Sequence, residues 1–245
     1  MTQRLLVFLL IIISFATIGA AKPTDNVMAA KVVWTGDKTR PQVALTFDDG
    51  PKPEYSIPIL NILDQFGVKA TFFVIGREAR WHPDLIYRIV DSGHDIANHT
   101  YSHYRLDSLS RKQIDEEFAA TNDIIKSVTG KTPIYARPPG GRFNRVVLEE
   151  AYKYGLTIIG WSVNAGDYTT TSKYFRDTKK AEEIVSRIVG SCHDGDIILM
   201  HNGGGPTAQA LPQIIMSLRK KGFELVTISE LLKKNPPNIF AAKKN

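Results

Sequence analysis

The sequence predicts an α/β fold built on a parallel sheet closed into a barrel. Short apolar runs alternate with amphipathic helical stretches along most of the chain, the pattern of strand–helix units that pair in parallel. Asp48, His99, Arg137, Asn164, Asp167 and His201 each fall just after such a run. Polar positions following so many strands meet at one rim of a barrel, whereas an open sheet would gather function at a switch point between two strands. The convergence favours the barrel.

The elements follow in order. Residues 22–40 carry Lys22, Pro23, Thr24, Asp25 and Asn26 and read as a linker, with an edge strand at the apolar patch Val32-Val33-Trp34. The run 42–47 is a buried strand ending in Asp48-Asp49. Ile59, Leu60, Ile62, Leu63 and Phe66 have helical spacing, and Gly67 stops that helix. A strand over 70–75 closes at Gly76. Pro83 opens a helix through Leu85, Ile86, Ile89 and Val90 that ends at Gly93, and 94–97 forms a brief strand. Ser110 caps a long amphipathic helix that runs to Val128, with Gly130 past its end. Strands recur at 134–136, 157–159, 197–200 and 223–226, with helices at about 144–153, 179–189 and 207–221. No internal repeat or second-domain boundary interrupts the pattern.

Both ends differ from this body. Arg4, a short apolar core and the small residues Gly19-Ala20-Ala21 describe a secretory signal peptide over 1–21. Its apolar stretch, roughly 16 residues, is short for a membrane span, so no stable span is expected once the signal is removed. No cysteine follows the apolar core to carry a lipid. Cys192 is the only cysteine, which excludes an intrachain disulfide and reads as a structural thiol. Export without disulfides places the protein in a bacterial periplasm or cell wall, or secreted. The formal charge of +6 belongs to scattered lysines, denser in a basic tail over 236–245. A solvated surface accounts for it; attraction to an anionic wall is the alternative. No arginine–aromatic interleaving points to nucleic acid.

The chemistry lies in a few short runs. Thr46-Phe47-Asp48-Asp49-Gly50-Pro51 offers adjacent carboxylates, and His99 and His103 lie four residues apart. One carboxylate and two imidazoles can hold a divalent cation and leave positions open, and the spare carboxylate can take a proton from water. As an ordinary turn, Asp-Asp-Gly-Pro needs no function, but the two runs together outweigh that reading. Arg137-Pro138-Pro139-Gly140-Gly141 could pair a carboxylate and aim a backbone N–H at a developing oxyanion. Leu199-Met200-His201 ends a buried strand in a potential acid, and Trp161, Tyr168 and Trp81 could stack on sugar. His82, His94 and His193 read as structural or exposed.

In this order these segments resemble the NodB-type polysaccharide deacetylases of carbohydrate esterase family 4, over roughly 41–232. The carrying motifs are Thr46-Phe47-Asp48-Asp49-Gly50, His99-Thr100-Tyr101-Ser102-His103, Arg137-Pro138-Pro139 and Leu199-Met200-His201, with Ala70-Thr71-Phe72-Phe73-Val74-Ile75-Gly76 between the first two. The resemblance implies a distorted (β/α) barrel of about seven parallel strands and a deacetylase domain over 41–235. It implies Asp49, His99 and His103 as ligands of zinc, with cobalt or another transition metal as alternatives. Asp48 would be the general base, Arg137 its holder and His201 the general acid. The Gly140 N–H would meet the oxyanion and Leu199 the acetyl methyl. The implied reaction removes N-acetyl groups from amino sugars of peptidoglycan or a chitin-like polymer. An O-acetyl esterase on xylan, or a carbohydrate-binding protein with a decayed site, remains as an alternative.

Two departures matter. Gly140 stands where family members carry an aromatic residue, which opens one wall of the sugar site. The fourth motif, Asp-x-x-Asp-Trp in the family, reads Asn164-Ala165-Gly166-Asp167-Tyr168 here. The resemblance assigns support of the acid histidine to the first position of that motif. Asn164 cannot supply the charge, so His201 is expected to have a lower pKa than in relatives unless Asp167 takes over.

Overall fold

The strand β2 (Gln42–Gly50) is the spine of the molecule, buried along all but its first residue. It pairs with three others, β3 (Thr71–Val74), β8 (Ile197–His201) and β9 (Glu224–Val226). The computed structural model describes residues 28–168 and 178–233. The expected signal peptide, the whole basic tail and the start of the linker lie outside the described residues.

The sheet runs β1 (Val32–Val33), β6 (Thr157–Ile159), β5 (Tyr135–Ala136), β4 (Asp95–Asn98), β3, β2, β8 and β7 (Val163–Asn164), with β9 on the first residues of β2. Every pairing is parallel. Although β6 and β7 stand far apart in that order, only residues 160–162 join them, so the sheet curls round on itself into a distorted barrel. Among the described residues the sheet has nine strands, against the expected seven or so. One addition is β1, the edge strand anticipated within 22–40; the other, β7, has two residues and no apolar run to announce it.

Helices pack outside: α1 (Pro53–Phe66), α2 (Gly76–Trp81), α3 (Pro83–Asp91), α4 (Arg111–Thr129), α5 (Arg145–Lys153), α6 (Thr178–Ser191), α7 (Thr207–Lys220) and α8 (Ile228–Leu231). Ser110 and Gln113 form a reciprocal capping box on α4, and Gly130 ends it in the left-handed conformation.

Alternation along β2 divides the core. Val43, Leu45 and Phe47 join Phe72, Val74, Ile198 and Met200 against α1, α3 and α7. Ala44 instead packs with Val33, Phe73, Ala97, Ile159 and Ile197 in a separate cluster. Successive strand residues point to opposite faces, so Thr46 and Asp48 follow Ala44 towards the barrel interior. The interior cluster has two alanines at its centre. That leaves room for the fully buried Arg137, whose guanidinium lies 4.0 Å above the Phe73 ring.

Candidate active site

Arg137 organises the site from beneath. Its Nε donates to the Ile159 carbonyl at 3.0 Å and its Nη2 to the Gly160 carbonyl at 2.9 Å. Nη1 donates to Thr46 Oγ1 at 2.9 Å and to Asp48 Oδ1 at 2.7 Å. A buried charge is tolerable only when paired and hydrogen-bonded, and here the interior supplies both. The salt bridge holds one oxygen of Asp48 and leaves Oδ2 on the cavity side, 3.8 Å from His99 Nε2.

On a regular strand Asp49 would point away from Asp48. Instead Asp49 has φ 75°, and the β2–β3 register shifts between Asp48 and Gly50. That turn brings both carboxylates to one cavity. Thr100 (φ 67°) and His103 (φ 61°) are also left-handed. Three non-glycine residues in this uncommon region cost energy and persist only where neighbours hold them. Glu117 on α4 does part of the holding: its Oε2 accepts from Tyr101 N at 2.8 Å and Ser102 N at 2.7 Å. Asn98 Oδ1 accepts from Thr100 N, while Asn98 Nδ2 donates to Asn122 and to the Phe118 carbonyl. Across the cavity Gly203 closes on Asp49; a Cβ there would lie 2.5 Å from Asp49 Cβ.

The ligand atoms of Asp49, His99 and His103 lie within 4.8 Å of one another. Asp49 Oδ1 is 3.3 Å from His99 Nε2 and 3.0 Å from His103 Nε2. Ligands about 2.0–2.1 Å from a tetrahedral zinc are separated by about 3.4 Å, so the set fits such a cation. His99 Nδ1 lies 2.6 Å from the Arg137 carbonyl, an acceptor only, so Nδ1 carries hydrogen and donates. With hydrogen on Nδ1, a neutral ring would offer its Nε2 lone pair to a cation held beside Asp49, as a metal ligand must. Burial opposes ionisation of Asp49, but the His103 and His99 rings hold its carboxyl below the usual carboxylate range. An arriving cation therefore meets a carboxylate.

His201 faces this cluster from the end of β8. Its Nδ1 is 2.8 Å from Asp167 Oδ1, and its backbone N–H donates to Asp167 Oδ2 at 2.8 Å. Thr207 Oγ1 donates to the same Oδ2, so fully buried Asp167 is anchored from α7. Burial alone would lower the His201 pKa. The Asp167 hydrogen bond and charge, helped by Asp48 and Asp49, push it up to about 9. Of the two outcomes that the fourth motif left open, Asp167 takes over. Asn164 is exposed and its Oδ1 accepts from Gly166 N, so it takes no part. The second acidic position, Asp167, supports the histidine, and the pKa rises.

A cavity of about 190 Å³ is lined by Asp48, Asp49, His99, His103, Gly140, Trp161, Tyr168, Leu199 and His201. These are the residues singled out from sequence for catalysis, metal and substrate, except Arg137, which lies below, and Trp81. Tyr168 is 57% exposed and meets the His201 ring edge-on, with 5.0 Å between ring centroids. Trp161 is half-buried and closes against Gly141, where a Cβ would come within 2.6 Å of its ring. Trp81, 73% exposed, does not line the cavity. His94 is structural as expected: Nδ1 accepts from Ala70 N, and burial lowers its pKa to about 4. Burial raises the Cys192 thiol to about 12, leaving it inert.

Sequence reasoning missed Glu117, Asn98, Asn122 and Thr207. Glu117 did leave a signal. It shares a face with Ile114, Phe118 and Thr121 at helical spacing, and a carboxylate on the buried side of an amphipathic helix needs a partner.

Known proteins were compared with this chain. A model of the polysaccharide deacetylase family matches residues 35–159. A peptidoglycan-N-acetylglucosamine deacetylase of Bacillus cereus is 33% identical over 207 residues, covering 82% of this chain and 93% of the relative. The peptidoglycan-N-acetylmuramic acid deacetylase PdaA of Bacillus subtilis is 32% identical over 200 residues, covering 81% and 74%. Among solved structures, a Bacillus anthracis protein described as a carbohydrate esterase family 4 pseudoenzyme superposes with a TM-score of 0.76. It is 29% identical, over 84% of this chain and 70% of that one.

Proposed function

This chain belongs to the polysaccharide deacetylase family, and we propose that it is an N-deacetylase acting outside the cytoplasm on the amino sugars of peptidoglycan, using one divalent cation, zinc first. The observation that carries this reading is the pairing of Asp48 with buried Arg137 beside the cluster of Asp49, His99 and His103. The pseudoenzyme relative makes a decayed site the natural rival. Against it, Asp48, Asp49, His99, His103 and His201 are all kept and share one cavity with Arg137 beneath, and Asp167 supports His201 although Asn164 replaces the first acidic position of the fourth motif.

In this reading Asp49, His99 and His103 would hold the cation, which when bound would lower the pKa of water and polarise the acetyl carbonyl. Leu199 packs on the acetyl methyl, and Tyr168 and Trp161 offer ring faces to the sugar. Asp48 Oδ2 takes a proton from the attacking water as its oxygen bonds to the amide carbon. Arg137 keeps Asp48 in place through the other oxygen. The Gly140 N–H stands at the wall where the oxyanion develops. His201, held protonated by Asp167, gives a proton to the nitrogen as the carbon–nitrogen bond breaks. Acetate and a free amine leave. Positioned acid and base groups of this kind contribute about 10²–10⁴-fold each.

The residues described include no helix long and apolar enough to cross a membrane. The exported location rests on the apolar leader read from the sequence and on the relatives' wall substrates. Acetate release from peptidoglycan strands, chitin oligomers and acetylated xylan tests the activity. Zinc-dependent release from the amino sugars, abolished by a chelator, is expected. Release from xylan alone would favour the esterase, and release from none would favour the decayed site.

A further inference from the structure

The barrel has a second cavity at the end away from the catalytic residues. Asp48, Asp49, His99, Arg137 and His201 lie at or just past the C-terminal ends of their strands. The second cavity, about 590 Å³, opens at the opposite end, where Tyr135 and Thr157 begin β5 and β6. It shares no residue with the catalytic cavity. Its size suits a substituted sugar unit, not a bare ion.

The cavity forms where the sheet is incomplete. β1 ends the strand order and β9 pairs with β2, so no ladder joins β1 to β9 among the described residues. The loop after β1 and the helix α8 wall the opening instead. Gly36 packs directly on Leu231, where a Cβ would lie 2.5 Å from Cγ. Arg40 Nη2 donates to the Leu231 carbonyl at 2.7 Å, a second tie between loop and helix.

Three cations, Lys31, Arg40 and Lys233, and one anion, Asp37, line this space. Arg40 is only 16% exposed, and its Nε is buried without a hydrogen-bond partner. Its carboxylate neighbour, Asp37, lies 3.5 Å away and already accepts from Thr39 N and Oγ1. Lys31 and Lys233 are exposed and form no ion pair among the described residues. Beyond Lys233 the sequence adds Lys234, Lys243 and Lys244 and no acidic side chain, so it brings no counter-charge. A largely buried guanidinium paired this loosely favours an arriving anion. A phosphate ester offers three acceptor oxygens to three cations, where a carboxylate offers two. Trp34 and Tyr135 add aromatic surface to the lining, against which a sugar ring can pack.

We propose that this cavity binds a phosphate-bearing sugar, held by Lys31, Arg40 and Lys233. A polymer of such units seated here would hold the protein while leaving the catalytic cavity open. The proposal does not depend on the deacetylase reading.

Isothermal titration calorimetry of the zinc-loaded protein with glucose 6-phosphate, glucuronate and glucose tests it. Glucose 6-phosphate should bind saturably and more weakly as salt is raised, with glucuronate weaker still and glucose silent. The double variant Lys31→Ala/Lys233→Ala should raise the Kd for glucose 6-phosphate about tenfold. Its thermal midpoint and acetate release should match wild type, since both side chains are exposed and outside the catalytic cavity. Glucose 6-phosphate held by the catalytic cation would keep its Kd in the double variant. That result, or no saturable binding to wild type, overturns the proposal and leaves the deacetylase reading intact. Glucuronate binding as tightly as glucose 6-phosphate overturns the assignment of phosphate.

Discussion

Two imidazoles face each other across one cavity and are prepared for opposite tasks. His99 gives its Nδ1 hydrogen to a backbone carbonyl, a neutral partner, and sets Nε2 3.3 Å from Asp49 Oδ1, where the two could share a cation. His201 sets its Nδ1 against a buried carboxylate, and its pKa climbs to about 9. The residue type is the same; the partner at Nδ1 decides whether the ring is a ligand or an acid. Their backbones differ as well. His99 leads into a left-handed turn held by Glu117 and Asn98, whereas His201 continues β8 in register with Asp48.

Removing the ligand ring breaks the comparison most severely. His99→Ala should weaken zinc binding by more than a hundredfold, since even partners of a ligand are worth about 10–100-fold. Competition with a chromophoric chelator measures it, and acetate release should fall to background.

Asp167→Asn breaks the other side. We expect kcat to fall about 10²–10³-fold, with activity lost at a lower pH than in wild type as His201 gives up its proton. The stability consequence has a definite sign. A histidine whose folded pKa is raised from 6.5 to about 9 stabilises the fold fully below pH 6.5, and that stability is lost as pH rises through 9. The gap in thermal midpoint between wild type and Asp167→Asn should therefore be widest near pH 6 and close above pH 9. A gap independent of pH would show that Asp167 does not hold the His201 proton.

Thr207→Val removes one anchor of Asp167 without touching the imidazole. A single hydrogen bond of this kind is worth about 0.5–1.5 kcal/mol, so kcat should fall about threefold to tenfold. Asn164→Asp should do least. Its side chain is exposed and, among the described residues, accepts from Gly166 N, so pH–rate profiles of this variant and wild type should superimpose within about twofold.

The parts legible in the sequence were those with a period or a spacing. The strand–helix alternation, the capping box at Ser110 and the run into Asp48-Asp49 all repeat a pattern long enough to read. β7, α2 and α8 are too short to show a period. The choice between Asn164 and Asp167 was beyond reach for another reason. Asn164 ends β7, whereas Asp167 lies in the irregular turn after it, where side-chain direction follows the backbone path and not alternation. Gly166, at φ 66°, redirects the chain between them. Likewise, nothing in an Asp-Asp pair says which carboxylate faces the interior. That needed the β2 register and the positive φ of Asp49.

The most direct test of the two-imidazole account is nitrogen-15 NMR of the histidine rings at pH 7 with one equivalent of zinc. His99 should bind zinc through Nε2 and keep hydrogen on Nδ1, while His201 should carry hydrogen on both nitrogens and stay off the metal. Zinc on His201, or a His201 ring with a single hydrogen at that pH, would contradict it.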